Sequence, residues 1–224
     1  MNSRSALIAG ASGLVGGHCL RFLHDDGTYG KVTALVRRPL PVSHAKLEQI
    51  VVDFDQLQSF SRVMKGDDVF CCLGTTRRRS GSQEGYERID YTYPFELAKI
   101  SSANGAQQFL IVSSVGANPT SSFAYLRTKG RIEEAIKSLP FRGIHIFRPS
   151  MLVGRRGEFR WEDYVVPPLL KLAAIGMVGK FRRYRAIAGE TVAFAMVEIA
   201  KMNLEGIYVY ESDEIQSIYD QRVK

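Results

Sequence analysis

The chain has 224 residues, 45% of them apolar and 24% charged, which is enough for one domain with a sizeable core and excludes a disordered or fibrous chain. Its net charge of +7 leaves open an anionic partner (nucleic acid, membrane surface or small molecule) beside a plainly solvated basic surface. Three cysteines, Cys19 and the adjacent Cys71 and Cys72, make no disulfide framework and suit a reducing cytoplasm, and no His or Cys spacing has the form of a metal site.

A first strand is expected from Ser5 to Ala9, which leaves no room before it for a secretory leader. A helix over Leu14–Leu23 follows, then strands at Val32–Val36, Gln49–Val52 and Asp68–Leu73. From Glu87 to Asn104 the spacing of Ile89, Phe95, Leu97 and Ile100 predicts a helix. Phe109–Ser113 reads as a strand, Ser122–Leu139 as a helix and Gly143–Phe147 as a strand. A helix over Glu190–Asn203 and a strand over Gly206–Tyr210 close the pattern. The strands are continuous apolar runs, as strands covered by helices on both faces require. Strands alternating with helices predict right-handed crossovers and an α/β, Rossmann-type, doubly wound parallel sheet.

The pattern points to a single domain over 1–224. Residues 151–187 loosen it with Trp161, Pro167 and Pro168 and are read as a small C-terminal substrate lobe, or flap, over the cleft. Its most apolar run, Val165 to Val178, is too short to span a bilayer and is broken by Pro167, Pro168 and Lys171, so no membrane span is expected. Within it Val166, Leu169, Leu170, Leu172 and Ala173 recur at helical spacing. Closure over a substrate, a homodimer contact, membrane contact and plain packing are all open readings, with packing preferred over membrane contact.

The stretch GASGLVGGHC lies between the first strand and the first helix, where a dinucleotide loop belongs. Gly10 would permit the tight turn, Gly13 the approach of backbone to pyrophosphate, and Gly16 close packing of helix on strand. Ser12, Leu14 and Val15 fill the loop, and the helix N-terminus offers free N–H groups to phosphate. The spacing GxxGxxG departs from the standard GxGxxG, and Gly17 has no evident role. At the end of the second strand stand Arg37 and Arg38. An acid usually holds the ribose hydroxyls there. Guanidinium groups suit a 2′-phosphate, so NADP(H) is expected over NAD(H). Asp53 and Phe54, after the third strand, are placed to meet an adenine. Leu73, Gly74 and Thr75, after the fourth, would let backbone approach the cofactor. Cys71 and Cys72 read as packing residues.

Tyr125 and Lys129 are four apart on a predicted helix and share a face. An ammonium beside a phenol favours the phenolate, and a tyrosine so tuned exchanges a proton with a carbonyl or alcohol oxygen. Ser113 and Ser114 stand at the carboxyl end of a strand, where a hydroxyl could hold the same oxygen. The order of glycine loop, arginines, LGTT, Ser-Ser and YxxxK carries more weight than any one of them.

Taken with CLGTTR, VSSVGAN, YLRTKGRIE and FRPSMLVGRR, these features resemble the atypical or extended short-chain dehydrogenase/reductases, and more closely the Tat-interacting oxidoreductase-like family and its bacterial relatives, over roughly Ser5 to Tyr210. The resemblance implies NADP(H) at Gly10, Gly13 and Gly16 with Arg37 on its 2′-phosphate. It implies Tyr125 as the proton donor or acceptor and Lys129 as its helper and a contact of the nicotinamide ribose. One of the two serines would complete the set, Ser114 preferred and Ser113 beside the cofactor. Arg148, Pro149 and Ser150 would pass the carboxamide. The chain has less room for a substrate domain than members acting on nucleotide sugars.

The arginines at 77–79 and at 155, 156 and 160 come off strand ends beside the expected cofactor and are open to an anionic substrate, the cofactor phosphates or solvated loop charge, and those at 182, 183 and 185 lie further on. Nucleic acid is not expected, since the basic runs lack interleaved aromatics. The function expected is an NADP(H)-dependent oxidoreductase acting on a small-molecule carbonyl or alcohol. The alternatives are an NADPH-binding regulatory protein without turnover, or an epimerase or dehydratase.

Overall fold

In the computed structural model, residues 3–75, 80–154 and 179–223 are described. Seven strands form one sheet: β1 (Arg4–Ala9), β2 (Tyr29–Val36), β3 (Leu47–Val51), β4 (Asp68–Cys71), β5 (Gln108–Val112), β6 (Gly143–Arg148) and β9 (Gly206–Glu211). Their order is β3-β2-β1-β4-β5-β6-β9, and every neighbouring pair is parallel. Parallel neighbours need crossovers, and helices supply them: α1 (Leu14–Asp25), α2 (Gln83–Glu87), α3 (Tyr93–Ala103), α4 (Ala124–Lys137) and α5 (Gly189–Met202), with α6 (Ser212–Asp220) after the last strand. The result is a Rossmann-like α/β fold.

The period of two along each strand divides the core into two layers. Ala6 and Ile8 of β1, with Phe70, Leu110 and Phe147, face α1 and α5 through Val15, Leu23, Val192 and Met196. Leu7 and Ala9, with Val69, Phe109 and Ile146, face the other side, against Leu97, Ile100, Ile132 and Ile136. Both central faces are covered, which is why these strands read as unbroken apolar runs. The edges differ: β3 and β9 are only half covered. They lie at the sheet margins, so a neighbour screens each on one side alone.

The long helix expected over Glu87–Asn104 is interrupted. Between α2 and α3 lies one π-helical turn, Arg88–Thr92, closed by the Tyr93 N–H on the Arg88 carbonyl. Pro94 explains it. Proline has no N–H to give the carbonyl four residues back, that of Asp90, and its ring crowds that group. Further elements escape the periodicity: 3₁₀ turns over Phe54–Val63, Gly179–Tyr184 and Gln221–Val223, α6, and a two-strand ribbon of β7 (Leu152–Val153) and β8 (Ile187–Ala188). The ribbon brackets the expected lobe, whose residues 155–178 lie outside the described ones.

At the amino end of the sheet the buried Asp68 carboxylate gathers Arg4, the Tyr29 hydroxyl (2.7 Å) and the Gln108 amide (2.7 Å). Gln108 in turn meets His145 Nε2 at 3.1 Å, and His145 Nδ1 meets the Tyr210 hydroxyl at 3.2 Å. This network ties β1, β2, β4, β5, β6 and β9 together at the end opposite the site.

Candidate active site and cofactor cleft

In an open parallel sheet the strand order reverses between β1 and β4, and ligands lie outside the carboxyl ends at that point. Gly10 follows β1 with φ +90°, a conformation that glycine adopts freely. A Cβ on Gly10 would lie 2.4 Å from the Cys72 carbonyl oxygen, so the loop after β1 rests directly on the end of β4. A Cβ on Gly16 would lie 2.1 Å from the Gly10 carbonyl oxygen, while one on Gly13 would meet the same oxygen at 3.1 Å. Two glycines are therefore required by close backbone contact. No side chain caps the α1 N-terminus at Gly13, so its first N–H groups point outward unclaimed. Ser12 is exposed beside them, whereas Leu14 and Val15 are buried, and Leu14 packs against Gly154 and Gly189.

A second part of the cleft, about 510 Å³, is lined by Arg37, Val52, Asp53, Phe54, Ile89 and Tyr93. Arg37 and Arg38 are both exposed, and Arg37 borders the cleft. Phe54 is buried with its ring 5.6 Å from Tyr93, and the Asp53 carboxylate accepts from the Asp55 N–H at 2.9 Å, holding the turn that forms this wall. The uncapped helix end, the loop with glycine at residues 10 and 13 and the arginine-bordered cleft fit a dinucleotide laid along the strand ends.

Beyond β4 and β5 the structure brings Gly74, Thr75, Tyr125 and Lys129 around Asp90, a residue that sequence reasoning missed. Lys129 is 5% exposed, and its ammonium pairs with the Asp90 carboxylate at 2.8 Å. The Thr75 N–H donates to the other Asp90 oxygen at 2.9 Å. A Cβ on Gly74 would come 3.4 Å from Asp90 Oδ1 and 3.8 Å from Lys129 Nζ, so the backbone after β4 covers the pair. Burial alone would disfavour the ammonium. The Asp90 carboxylate outweighs it, with a smaller contribution from Tyr125, and Lys129 is held protonated well above its ordinary range. Tyr125, one turn earlier on α4, is 44% exposed and interacts electrostatically with this ammonium. The sequence did carry a signal for Asp90: it falls on the stripe of Tyr86, Pro94 and Leu97, and an acid on a buried stripe needs a partner.

The two serines separate. Ser113 is buried and donates to Glu133, which is clasped by Arg148 through Nε at 3.0 Å and Nη2 at 2.5 Å. Arg148 also reaches Glu211 at 3.1 Å. Ser113 and Arg148 thus lock α4 to β5, β6 and β9. Ser114 is half-buried, with a long 3.3 Å contact to the Val115 carbonyl. Pro149 is buried and accepts the Val115 N–H at 3.0 Å. The Ser150 hydroxyl donates to the Arg185 carbonyl, which draws the returning chain onto β6. Cys71 is buried, and burial pushes its thiol up to about 12; Cys72 is raised by its contact with Cys19 and by burial. All three cysteines are free, which agrees with packing rather than reactivity. Arginines 77–79, 155, 156 and 160, Thr76 and the apolar run Val165 to Val178 lie outside the described residues. Among the described residues no helix is long and apolar enough to cross a membrane.

The model of a family described as NAD(P)H-binding matches residues 10–155. Over 164 residues the chain is 38% identical to Protein HTATIP2 of Rattus norvegicus, covering 71% of this chain and 67% of that protein. It is 32% identical over 221 residues to "Protein FMP52, mitochondrial" of Eremothecium gossypii, covering 97% and 98%. Its fold is similar to that of MoeE5 in complex with UDP-glucose and NAD, with a TM-score of 0.69 at 17% identity over 97% of this chain and 81% of that one. It is also similar to UDP-glucose 4-epimerase with UDP-glucose from Thermotoga maritima, with a TM-score of 0.66 at 13% identity over 97% and 82%. The glycine loop and these relatives converge: the chain belongs to the NAD(P)H-binding family, in the Tat-interacting oxidoreductase-like branch that includes Protein HTATIP2.

Proposed function

We propose that the protein is an NADP(H)-dependent oxidoreductase that interconverts a small-molecule carbonyl and its alcohol. The observation that carries this is the half-exposed Tyr125 one helical turn from a lysine that Asp90 keeps buried and charged. Gly10, Ser12, Gly13 and the α1 N-terminus would hold the pyrophosphate, Asp53 and Phe54 the adenosine end, and Arg37 with Arg38 a 2′-phosphate. Arg37 at the cleft border supports NADP(H) over NAD(H). When bound, the reduced nicotinamide supplies a hydride and ends oxidised.

The chain's own residues handle the proton and the substrate oxygen. Tyr125 Oη gives its proton to the oxygen during reduction and takes one during oxidation. Lys129, held as a cation by Asp90, stands one helical turn from that phenol. Ser114 donates to the same oxygen and orients it, while Ser113 serves the Glu133 bond instead. The free buried thiols support a reducing compartment, for which we take the cytoplasm. The 151–187 lobe is placed, on sequence grounds, over the substrate.

NADPH and NADH titrations, followed by cofactor oxidation on an aldehyde and ketone panel, test this reading. Tighter binding of NADPH and turnover lost in Tyr125→Phe with NADPH binding retained are expected. Tighter binding of NADH, or a Tyr125→Phe variant with unchanged turnover, would overturn it.

A further inference from the structure

Beside Tyr125 the described wall is aromatic and uncharged. Gln83 and Tyr86 of α2, Phe123 and Ala124 at the start of α4, and Tyr125 itself line a depression of about 220 Å³. Phe123 is 72% exposed, although burial of so large an apolar side chain is favourable. The Tyr86 and Tyr125 rings lie 6.3 Å apart at 43°. Two aromatic residues left open beside a reacting phenol form a surface that an apolar body would cover.

The floor is different. The Tyr86 hydroxyl is buried with no hydrogen-bond partner among the described residues. Burial and the Asp90 charge push its phenol well above the ordinary range, so it persists as a neutral donor. It lies in the field of Asp90, Lys129 and Tyr125. An aromatic wall carrying two phenols, both in the field of the Lys129–Asp90 pair, selects a molecule with a single oxygen function at one end.

Size selects further. A dry cavity of about 150 Å³ holds benzene, and drug-sized ligands need about 300–1,000 Å³. A depression of 220 Å³ takes one ring with a short substituent. A sugar joined to a nucleoside diphosphate is far larger.

Resting on the oxidoreductase reading above, we infer that this depression takes an aldehyde or ketone whose body is a single aromatic ring or a compact branched apolar group, with Phe123 and Tyr86 as specificity-determining residues. The oxygen points inward to Tyr125, and the body lies on Phe123.

Acetophenone with NADP+ is a pair that cannot react, so saturation-transfer NMR on the full chain reads binding alone. Transfer to acetophenone is expected, undisturbed by excess pyruvate or UDP-glucose. Phe123→Ser, a change at an exposed side chain, should weaken acetophenone binding at least tenfold, and Tyr125→Phe should leave it in place. With NADPH, benzaldehyde should be reduced with a higher kcat/KM than pyruvate. Absent transfer, displacement by pyruvate or UDP-glucose, or indifference to Phe123→Ser overturns the inference. Acetophenone binding without NADPH oxidation by any carbonyl would remove the oxidoreductase reading and leave the pocket's ligand class standing. Pyruvate reduction without acetophenone binding would do the reverse.

Discussion

Lys129 and Asp90 form an ion pair of 2.8 Å between side chains that are 6% and 1% exposed. They come from two helical segments, α4 and the π turn, and the pair pins these together beneath the strand ends. Neither ion could stay charged there alone, because removing one partner leaves an uncompensated charge out of water.

Asp90→Ala should therefore lower stability by about 3–5 kcal/mol, whereas Asp90→Ala with Lys129→Met should recover much of that loss. Urea unfolding of the four members of this cycle measures it. Additive losses would mean that the pair carries no coupling.

At the cofactor cleft, Arg37→Ala should weaken NADPH binding by about 10–100-fold, the worth of a charged hydrogen-bonding contact of about 1.5–3 kcal/mol. NADH affinity should change by no more than about twofold. Equal losses for both cofactors in a fluorescence titration would place Arg37 away from any 2′-phosphate.

Gly16 and Gly17 are neighbours in α1 with opposite expectations. A Cβ on Gly16 would sit 2.1 Å from the Gly10 carbonyl oxygen, but one on Gly17 would meet the Ala11 oxygen at 3.4 Å, an ordinary contact. Gly16→Ala should distort the loop and lose both stability and NADPH binding. Gly17→Ala should be neutral or stabilise by up to about 1 kcal/mol, through helix propensity. Thermal unfolding with and without NADPH separates the two.

His145 supplies a pH signature. Burial holds its pKa at about 4, against 6.5 for the free side chain. Between these values the unfolded chain carries the extra proton, so stability rises with pH across that window. The contribution is fully present above pH 6.5 and is lost as pH falls toward 4, on the order of 3 kcal/mol. His145→Asn should flatten that part of the profile in urea midpoints taken from pH 4 to 7.

Much of the fold was legible because burial on both faces of a central strand writes itself as an apolar run. Leu7 and Ile8 serve opposite layers, yet both must be apolar. The edge strands read the same way although half their surface is open, since pattern alone does not tell an edge from a centre. The π turn was hidden because helical spacing continues through it, and only Pro94 marks the place. Among the candidate site residues, spacing brought Tyr125 and Lys129 to notice but could not say which neighbouring serine faces inward. That depends on Glu133, twenty residues later, which takes the Ser113 hydroxyl.

The ribbon of β7 and β8 has a consequence for the main sheet. Leu152 pairs with Ile187 and Val153 with Ala188, so the chain departs from and returns to one spot outside the main sheet. None of the described residues between β7 and β8 pairs into the seven-strand sheet, so the strand register of the cofactor half is set without them.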